Sequence, residues 1–431
     1  MKTLVAFILL ANAVVYSQAN GIKGLIRDAE THAPLPYANI QLAKTPLGTA
    51  SNLDGEFLLR VSSFPVQIIV SYVGYQTNTI QVEEKDASKI IEISLKRAEI
   101  VFPEVTVSAS DTFAINLVKR VYEKITDNED RVINGDGFYR QYLKVDSQYS
   151  EIMEMFLSTL LNSRGILKSG VENGRYARLK RAKGDTVLPF YLTNMSYFST
   201  VTFKSSQHKD PFFSFLPFVH KPGLYVPLRP NADEYYYLKT DGFYRTDDGE
   251  KVAIITFTPK IDLDRPTFSG SMEIEVNNSR LLRINEKLDG LRHNLVPWPS
   301  FMGYYVRDSI LSFRADFKDV SNGNFYLDRL ETRYEFMERN EKDPSFNRQY
   351  SFVSFLTFYD YPEKANTSKL EDSNQEWDIN KVINAGYNPD FWKKHQDVIN
   401  EIPIEESIRE SFIKHGFYGN LFPGGEPLNE K

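Results

Sequence analysis

The strongest constraint on the fold is a two-residue alternation of apolar and polar side chains between Gly21 and Leu95. Side chains of a β-strand point alternately to its two faces, so each alternating run buries one face and exposes the other. The runs are separated by clusters of turn-forming residues at 28–36, 52–55 and 74–76. Several short strands at this spacing predict a small antiparallel β-sandwich.

Residues 1–19 have the three parts of a removable export signal. Lys2 carries a positive charge, residues 4–15 form an apolar run, and Ser17 and Ala19 are small, so we place the cleavage after Ala19. The apolar run is shorter than the ~20 residues that a transmembrane helix needs, and no later segment reaches that length. We therefore expect an exported protein with no transmembrane span.

Composition narrows the function classes. The 431 residues include 51 Lys or Arg, 57 Asp or Glu and no cysteine, and the net charge is −6. Nucleic-acid binding requires a basic face, so we expect no nucleic-acid partner. The lack of cysteine excludes disulfides, thiol catalysis, cysteine-ligated metals and lipid attachment through cysteine. The 30 Phe and 25 Tyr favour a β-rich chain. The length of the chain is enough for two or three domains, at ~100 to 200 residues per domain.

Four motifs within the alternating stretch occur in a fixed order. They are Gly-Ile-Lys-Gly at 21–24, Pro-Leu-Pro-Tyr-Ala-Asn-Ile at 34–40, the segment 48–57 with Asp-Gly-Glu-Phe at its end, and Val-Ser-Tyr-Val-Gly-Tyr at 70–75. This order resembles the carboxypeptidase regulatory-like domain, a transthyretin-like β-sandwich at the N-terminus of many Bacteroidetes outer-membrane proteins, including TonB-dependent receptors. The resemblance carries no peptidase residues, so it implies a scaffold at the periplasmic or outer-membrane periphery.

A helix and a longer β region are predicted after this domain. Asp111 is placed to cap a helix whose apolar face carries residues at helical spacing, namely Phe113, Leu117, Val118, Val121 and Ile125. From 137 to 338 the strand pattern returns, with turns at 248–249 and 277–278, and predicts an antiparallel meander. Short helices are expected near 387–392 and 404–413, and the last dozen residues are expected to be loose.

The β region resembles two known families. Phe-Tyr-Arg-Gln at 138–141, after a helix, is similar to the uncharacterised Bacteroidetes family DUF5686, which couples the regulatory-like sandwich to a larger β region. The meander resembles the half-barrel of LolA-type lipoprotein carriers, in which a curved sheet wraps a helix and leaves an apolar cavity. We therefore predict a mainly β fold, in which a transthyretin-like β-sandwich precedes a curved, half-barrel-like antiparallel sheet with packed helices.

The predicted domain boundaries follow from these patterns. They are a signal peptide at 1–19, the regulatory-like β-sandwich at 20–97, a connector at 98–110, the helix and antiparallel sheet at 111–362, and a C-terminal helical and irregular segment at 363–431.

An aromatic cluster is the candidate ligand-binding site. Pro211 and Pro217 prevent a regular helix or central strand there, so the neighbouring rings must be buried from an irregular segment. The rings belong to Phe212, Phe213, Phe215 and Phe218. Two interpretations stay open, a loop folded onto the core and a lip over an apolar cavity such as a lipid carrier needs.

Other polar groups give weaker indications. The six histidines (His32, His208, His220, His293, His395, His415) lack the spacing of a zinc helix motif, and no nucleophile, P-loop or dinucleotide motif occurs. Asp262 with Asp264, and Glu151 with Glu154 on an expected helix, are acid pairs of the kind that glycosidases use, although such pairs also arise by chance. The basic run 175–183 is either a solvated hairpin or a site for an anionic headgroup.

We accordingly predict no catalytic residue, no metal and no cofactor. The leading hypothesis is a non-enzymatic periplasmic or outer-membrane-associated binding or assembly module. One alternative is a carrier or chaperone of an apolar, lipid-like ligand in the half-barrel, and another is a hydrolase of glycan or peptide. The expected partner is an envelope protein or an apolar ligand, and the sequence leaves the oligomeric state open.

Overall fold

The structure is a computed structural model that describes most of the chain beyond the predicted signal peptide. The described residues are 20–36, 38–43, 48–52, 54–61, 63–72, 74–87, 89–99, 111–146, 148–180, 227–260, 268–289, 304–321, 323–363, 370–372, 378–395 and 406–427. Contacts divide the chain into two compact units. The first comprises Met1–Tyr72 and Thr77–Lys96, and the second comprises Val73–Gln76 and Arg97–Lys431.

The first unit is a β-sandwich. Its strands are β1 (Asn20–Asp28), β2 (Asn39–Leu42), β3 (Gly48–Ala50), β4 (Glu56–Val61), β5 (Val66–Ser71), β6 (Asn78–Val82) and β7 (Ile90–Leu95). They form two sheets, of order β4-β1-β7 and β3-β2-β5-β6. The alternation predicted from the sequence is confirmed, since Ile22, Ile40 and Phe57 are at most 1% exposed. The predicted all-antiparallel pairing is wrong at one place, because β1 and β7 run parallel.

The turn before β4 follows from its sequence. The side-chain Oδ1 of Asn52 accepts hydrogen bonds from the backbone N–H groups of Asp54 (3.0 Å) and Glu56 (2.8 Å). Gly55 has a φ of +79°, and a Cβ at this position would lie 2.4 Å from the carbonyl oxygen of Ile26. Only glycine fits both the backbone conformation and the space.

The second unit contains one large sheet and short helices. Its helices are α1 (Thr112–Asp127), α2 (Ala232–Tyr235), α3 (Asp378–Ala385), α4 (Pro389–Lys394) and α5 (Glu406–His415). Its strands are β8 (Ile133–Val145), β9 (Gln148–Asn162), β10 (Gly165–Leu179), β11 (Tyr236–Arg245), β12 (Lys251–Pro259), β13 (Ser269–Glu275), β14 (Arg280–Asp289), β15 (Tyr304–Ser321), β16 (Asn324–Asn340), β17 (Asn347–Asp360), β18 (Glu371–Asp372) and β19 (Phe417–Gly419).

The large sheet consists of two antiparallel meanders, β11 to β17 and β8 to β10, that are joined by the pairing of β17 with β8. The strands from β11 to β17 are neighbours in chain order, and β17 then pairs with β8, followed by β9, β10 and the short β18. The predicted mainly β fold, with a sandwich followed by a curved antiparallel sheet, is confirmed. Gly165–Leu179 continues the sheet as the long strand β10.

Helix α1 packs on one face of this sheet, here called the inner face. The carboxylate of Asp111 accepts a hydrogen bond from the N–H of Ala114, so the predicted helix cap is confirmed. Ala114, Leu117 and Val121 join a core cluster with apolar side chains from β8 to β17. Phe113, predicted on the buried side, is instead 37% exposed. No helix in the described part of the chain is long and apolar enough to cross a membrane.

The C-terminal segment closes the edge of β10. Strands β18 and β19 pair with its two ends, and the N–H of Gly174 donates to the carbonyl of Gly386 between them. Unpaired strand edges favour aggregation, so this covering protects the sheet. The expected looseness of the last dozen residues is wrong where the structure describes them, because Phe422 is 9% exposed and packs on Phe412 and Phe417.

Candidate functional site

A row of polar side chains crosses the inner face of the large sheet. Its members lie on β14, β16, β17 and β8, and each stands between two apolar residues of the core cluster on its own strand. Cross-strand pairing aligns Glu286 with Phe313, Phe313 with Thr332, Thr332 with Ser354, and Ser354 with Gln141. We call Glu286, Thr332, Ser354 and Gln141 the polar row.

Glu286 is the acidic member of the polar row. It lies between Ile284 and Leu288 on β14 and is 3% exposed. Its Oε1 has no hydrogen-bond partner among the described residues. Burial raises the pKa of Glu286 to about 8, so its carboxyl group is mostly protonated at neutral pH. A neutral carboxyl group can donate one hydrogen bond and accept another.

Ser354 provides the second atom of this kind. It lies between Phe352 and Leu356 on β17 and is 1% exposed. Within the part of the chain that the structure describes, its Oγ has no hydrogen-bond partner. Burial of an unpaired polar group costs about 1–3 kcal/mol, so Glu286 and Ser354 both destabilise the fold as it stands. Polar groups retained at such a cost are candidates for function.

Gln141 is the member of the polar row on β8, and it belongs to a network of hydrogen bonds. Its Nε2 donates to Oε1 of Glu151 at 3.1 Å, and its Oε1 accepts from the hydroxyl of Tyr139 at 2.8 Å. All three residues are at most 3% exposed. The polar row is therefore fixed at its β8 end and unsatisfied at Ser354 and Glu286.

The outer face of β9 has the opposite character. The carboxylate of Glu154 accepts hydrogen bonds of 2.5 Å from Nε of Arg140 and from Nε of Arg175. Burial acts to raise the pKa of Glu154, but the two guanidinium groups outweigh it and hold the pKa below its ordinary value. The guanidinium of Arg175 also lies 4.0 Å from the ring centroid of Trp392 on α4. This fully paired group is structural.

The acid pair Glu151 and Glu154 was expected on a helix, and that expectation is wrong. Both residues lie on β9, and their odd spacing places them on opposite faces of the sheet. Glu151 bonds to Gln141 inside, whereas Glu154 bonds to two arginines outside. They cannot form the facing pair of carboxylates that a glycosidase needs.

The basic residues of the run 175–183 do not form one site among the described residues, because their side chains have different partners. Arg175 is bound to Glu154 and stacked on Trp392, so it is not part of a solvated hairpin. Lys180 pairs with Glu426 near the chain end, and Arg178 lies on β10. Arg181 and Lys183 lie outside the described residues.

The aromatic cluster predicted to contact a ligand also lies outside the described residues, namely Phe212, Phe213, Phe215 and Phe218. The same holds for Asp262, Asp264, His208, His220 and His293. Of the described histidines, His395 stacks on Phe391 at 4.1 Å, and His415 contacts the carbonyl of Ser411. No group of three acidic or histidine side chains in the described part of the chain could hold a metal ion.

Sequence reasoning missed the polar row. Each of its members is a single polar residue in an otherwise apolar alternation, as in Phe352-Val353-Ser354-Phe355-Leu356. That irregularity is the local signal that could have found them. Their alignment depends on the pairing of β17 with β8, which lies far away in sequence.

Comparison with known proteins identifies the N-terminal region. Residues 22–107 match the CarboxypepD_reg-like domain family. The N-terminal unit is a CarboxypepD_reg-like domain. The chain is also 29% identical over 113 residues to TonB-dependent receptor P3 of Formosa agariphila, a match that covers 26% of this chain and only 11% of that receptor.

Solved structures show more distant similarity. A DUF1329 family protein from Desulfovibrio piger shares 10% identity over 61% of this chain and 98% of its own, with a TM-score of 0.24. The LolA superfamily protein NE2245 from Nitrosomonas europaea shares 12% identity over 57% of this chain and 94% of its own, with a TM-score of 0.23. These TM-scores are too low to establish a common fold.

Proposed function

We propose that the protein is a non-enzymatic binding protein of the cell envelope, and that its large sheet holds an apolar ligand carrying a hydroxyl group. One observation carries the proposal. Glu286 and Ser354 place two unsatisfied polar atoms in one row of an otherwise apolar core. A ligand that bonds to them recovers the free energy that their burial costs.

The chemistry of the row defines the ligand class. A protonated carboxyl group and a serine hydroxyl can each donate and accept, and so can a ligand hydroxyl. Their neighbours along the same strands are apolar and suit a hydrocarbon body, namely Ile284 and Leu288 beside Glu286, and Phe352 and Leu356 beside Ser354. An ionised ligand head would be expensive beside them, because no cation belongs to the row.

The envelope location rests on other evidence. The N-terminal unit is a CarboxypepD_reg-like domain, 113 residues of the chain are similar to part of TonB-dependent receptor P3, and the predicted signal at 1–19 would export the chain. We assign the protein to the periplasm or the outer-membrane periphery, and its larger unit to the DUF5686 type.

A matched pair of probes tests the ligand class. The affinity of the full chain would be measured by fluorescence for a pyrene-labelled long-chain alcohol and for the alkane of the same length. We expect the alcohol to bind at least about tenfold more tightly, since one good buried hydrogen bond is worth about 1.4 kcal/mol or more. Ser354→Ala and Glu286→Leu should each reduce this preference.

Ser351→Ala is the matched control. Ser351 lies on the same strand as Ser354 but at odd spacing, on the outer face. This variant should keep the preference for the alcohol. Equal binding of alcohol and alkane, or no binding of either, would contradict the proposal.

A second candidate function is docking of another envelope protein. It is favoured by the CarboxypepD_reg-like domain and by the similarity of 113 residues of the chain to part of TonB-dependent receptor P3. Co-purification of a stoichiometric envelope protein with the ligand-free chain would support this function. A chain that purifies alone, with bound ligand, would count against it.

A further inference from the structure

The outer face of the large sheet contains a cleft of about 290 Å³ between β13 and β16. Most of its lining side chains alternate with the buried residues of the same strands and lie on the outer face, although the buried residues Glu286 and Phe313 also border it. The volume is near the lower end of ordinary ligand sites, so it suits a headgroup-sized molecule and not a whole lipid.

Three cationic side chains on three adjacent strands line this cleft. Lys287 lies on β14, Arg314 on β15 and Arg333 on β16, and cross-strand pairing aligns Lys287 with Ser312 and Ser312 with Arg333. The small side chains of Ser269 and Ser312 stand among them and leave the space open. Serine hydroxyls also supply hydrogen bonds.

The charge of the cleft is positive in an acidic protein. Nε of Arg333 lies 2.7 Å from Oε1 of Glu331, and Nη2 of Arg314 lies 3.4 Å from Oδ2 of Asp316, which is bound mainly by Arg283. Lys287 has no ion-pair partner among the described residues and is exposed. Glu286 borders the cleft, but its raised pKa leaves it largely neutral at pH 7. Three cations therefore face one lining carboxylate that is ionised, that of Glu331.

We propose that this cleft binds a phosphate group through Lys287, Arg314 and Arg333. A phosphate monoester carries about −1.5 to −2 charges at pH 7, which matches the charge of the lining. Guanidinium groups offer paired donors to phosphate oxygens, and the lysine adds a point charge. The phosphate is either free in solution or displayed on a lipid headgroup. The proposal does not depend on a ligand at the polar row.

Gly270 lines the cleft where β13 and β14 approach each other closely. A Cβ there would lie 1.9 Å from the carbonyl oxygen of Asn285, so only glycine lets β13 approach β14 this closely. Substitution of Gly270 would disturb the sheet itself, so the proposal is better tested at the cationic side chains.

Two binding measurements on the full chain separate the sources of phosphate. Isothermal titration at low ionic strength would measure inorganic phosphate, with acetate as the comparison anion. Co-sedimentation would measure binding to phosphatidylcholine vesicles with and without phosphatidic acid. Binding in the first assay supports free phosphate, and binding only to phosphatidic acid vesicles supports a lipid headgroup.

The variants are Lys287→Gln, Arg314→Gln and Arg333→Gln, with Lys318→Gln as the control. Lys318 is exposed on β15, the strand that carries Arg314, and does not line the cleft. Each cleft variant should weaken phosphate binding at least about tenfold, whereas Lys318→Gln should change it less than about twofold. Lys287 is exposed, so its loss should leave the fold intact.

Three results would overturn the proposal. The first is no binding of phosphate in either assay. The second is binding that Lys287→Gln and Arg333→Gln leave unchanged. The third is acetate binding as tightly as phosphate, which would show a site for any anion.

Discussion

Nε of Arg175 on β10 lies 2.5 Å from Oε2 of Glu154 on β9, and the side chain of Glu154 has no solvent exposure. The second oxygen of the carboxylate binds Arg140 on β8. One buried acid thus joins three neighbouring strands on the outer face. On the inner face of β8 and β9, Gln141 and Glu151 are hydrogen-bonded to each other, whereas Ser354 on β17 and Glu286 on β14 keep buried polar atoms without a partner in the described chain.

Replacement of Glu154 tests the structural role of this ion cluster. Glu154→Gln leaves two largely buried guanidinium groups without their carboxylate, and we expect a loss of about 3–5 kcal/mol in the free energy of unfolding. Urea denaturation measures it. Glu129→Gln is the control, because Glu129 pairs with Arg164 but is 41% exposed, and it should cost less than about 1 kcal/mol. Equal costs for both variants would contradict the assignment.

The same pairing makes the fold sensitive to acid. Glu154 and Asp316 have pKa values held below their ordinary 4.5 and 3.8 by arginines, despite burial that acts to raise them. Their stabilisation is present above the unfolded-state pKa and is lost as the pH falls through the folded-state pKa. Unfolding free energies measured at several pH values below about 4.5 should therefore decline, and the decline should be smaller in Glu154→Gln. Parallel profiles would contradict this.

Glu286 should give the opposite pH dependence. Its pKa is raised from 4.5 to about 8, so the folded state keeps a proton that the unfolded state loses. Its contribution is fully present below pH 4.5 and is lost as the pH rises towards 8, by at most about 1.4 kcal/mol per pH unit. Glu286→Gln should remove this decline and be more stable than the original protein at pH 8. Urea denaturation across pH 5 to 8 shows it, and an unchanged slope would contradict it.

Replacement of Ser354 tests whether its buried hydroxyl is retained for ligand binding and not for the stability of the fold. Ser354→Ala removes a buried hydroxyl without a partner in the described chain, so the ligand-free protein should be as stable as before or more stable by about 1 kcal/mol. Ser158→Ala is the comparison, because the hydroxyl of Ser158 donates to Asp136 at 3.2 Å and its loss should destabilise. Thermal unfolding of both variants after ligand removal distinguishes them. A marked loss for Ser354→Ala would show that its hydroxyl is satisfied.

Much of the fold could be predicted because the deciding signals are local. Asn52 and Gly55 define a turn within four residues, and Asp111 caps α1 from one position before it. Strand β9 was the exception. Glu151, Met153 and Leu157 favour helix, and burial of both faces removes the alternation that marks a strand. The outer burial comes from α4, whose Trp392 lies 5.0 Å from Phe156, and no local pattern reveals it.

The candidate site could not be predicted for a related reason. Ser354 and Gln141 face each other only because β17 pairs with β8, a contact between distant parts of the chain. The predicted aromatic cluster, by contrast, was recognisable from its prolines and rings alone, and it stays a prediction outside the described residues. Sequence patterns thus located rings that could cover a ligand but not the polar atoms that would bind it.

Native mass spectrometry of the chain purified from its own envelope tests the central claim most directly. We expect a complex heavier than residues 20–431 by the mass of one lipid-sized molecule, which organic solvent extracts and which carries a hydroxyl group. The extracted protein should return to its bare mass. A bare mass before extraction, with no apolar compound released, would contradict the claim that the polar row holds a ligand.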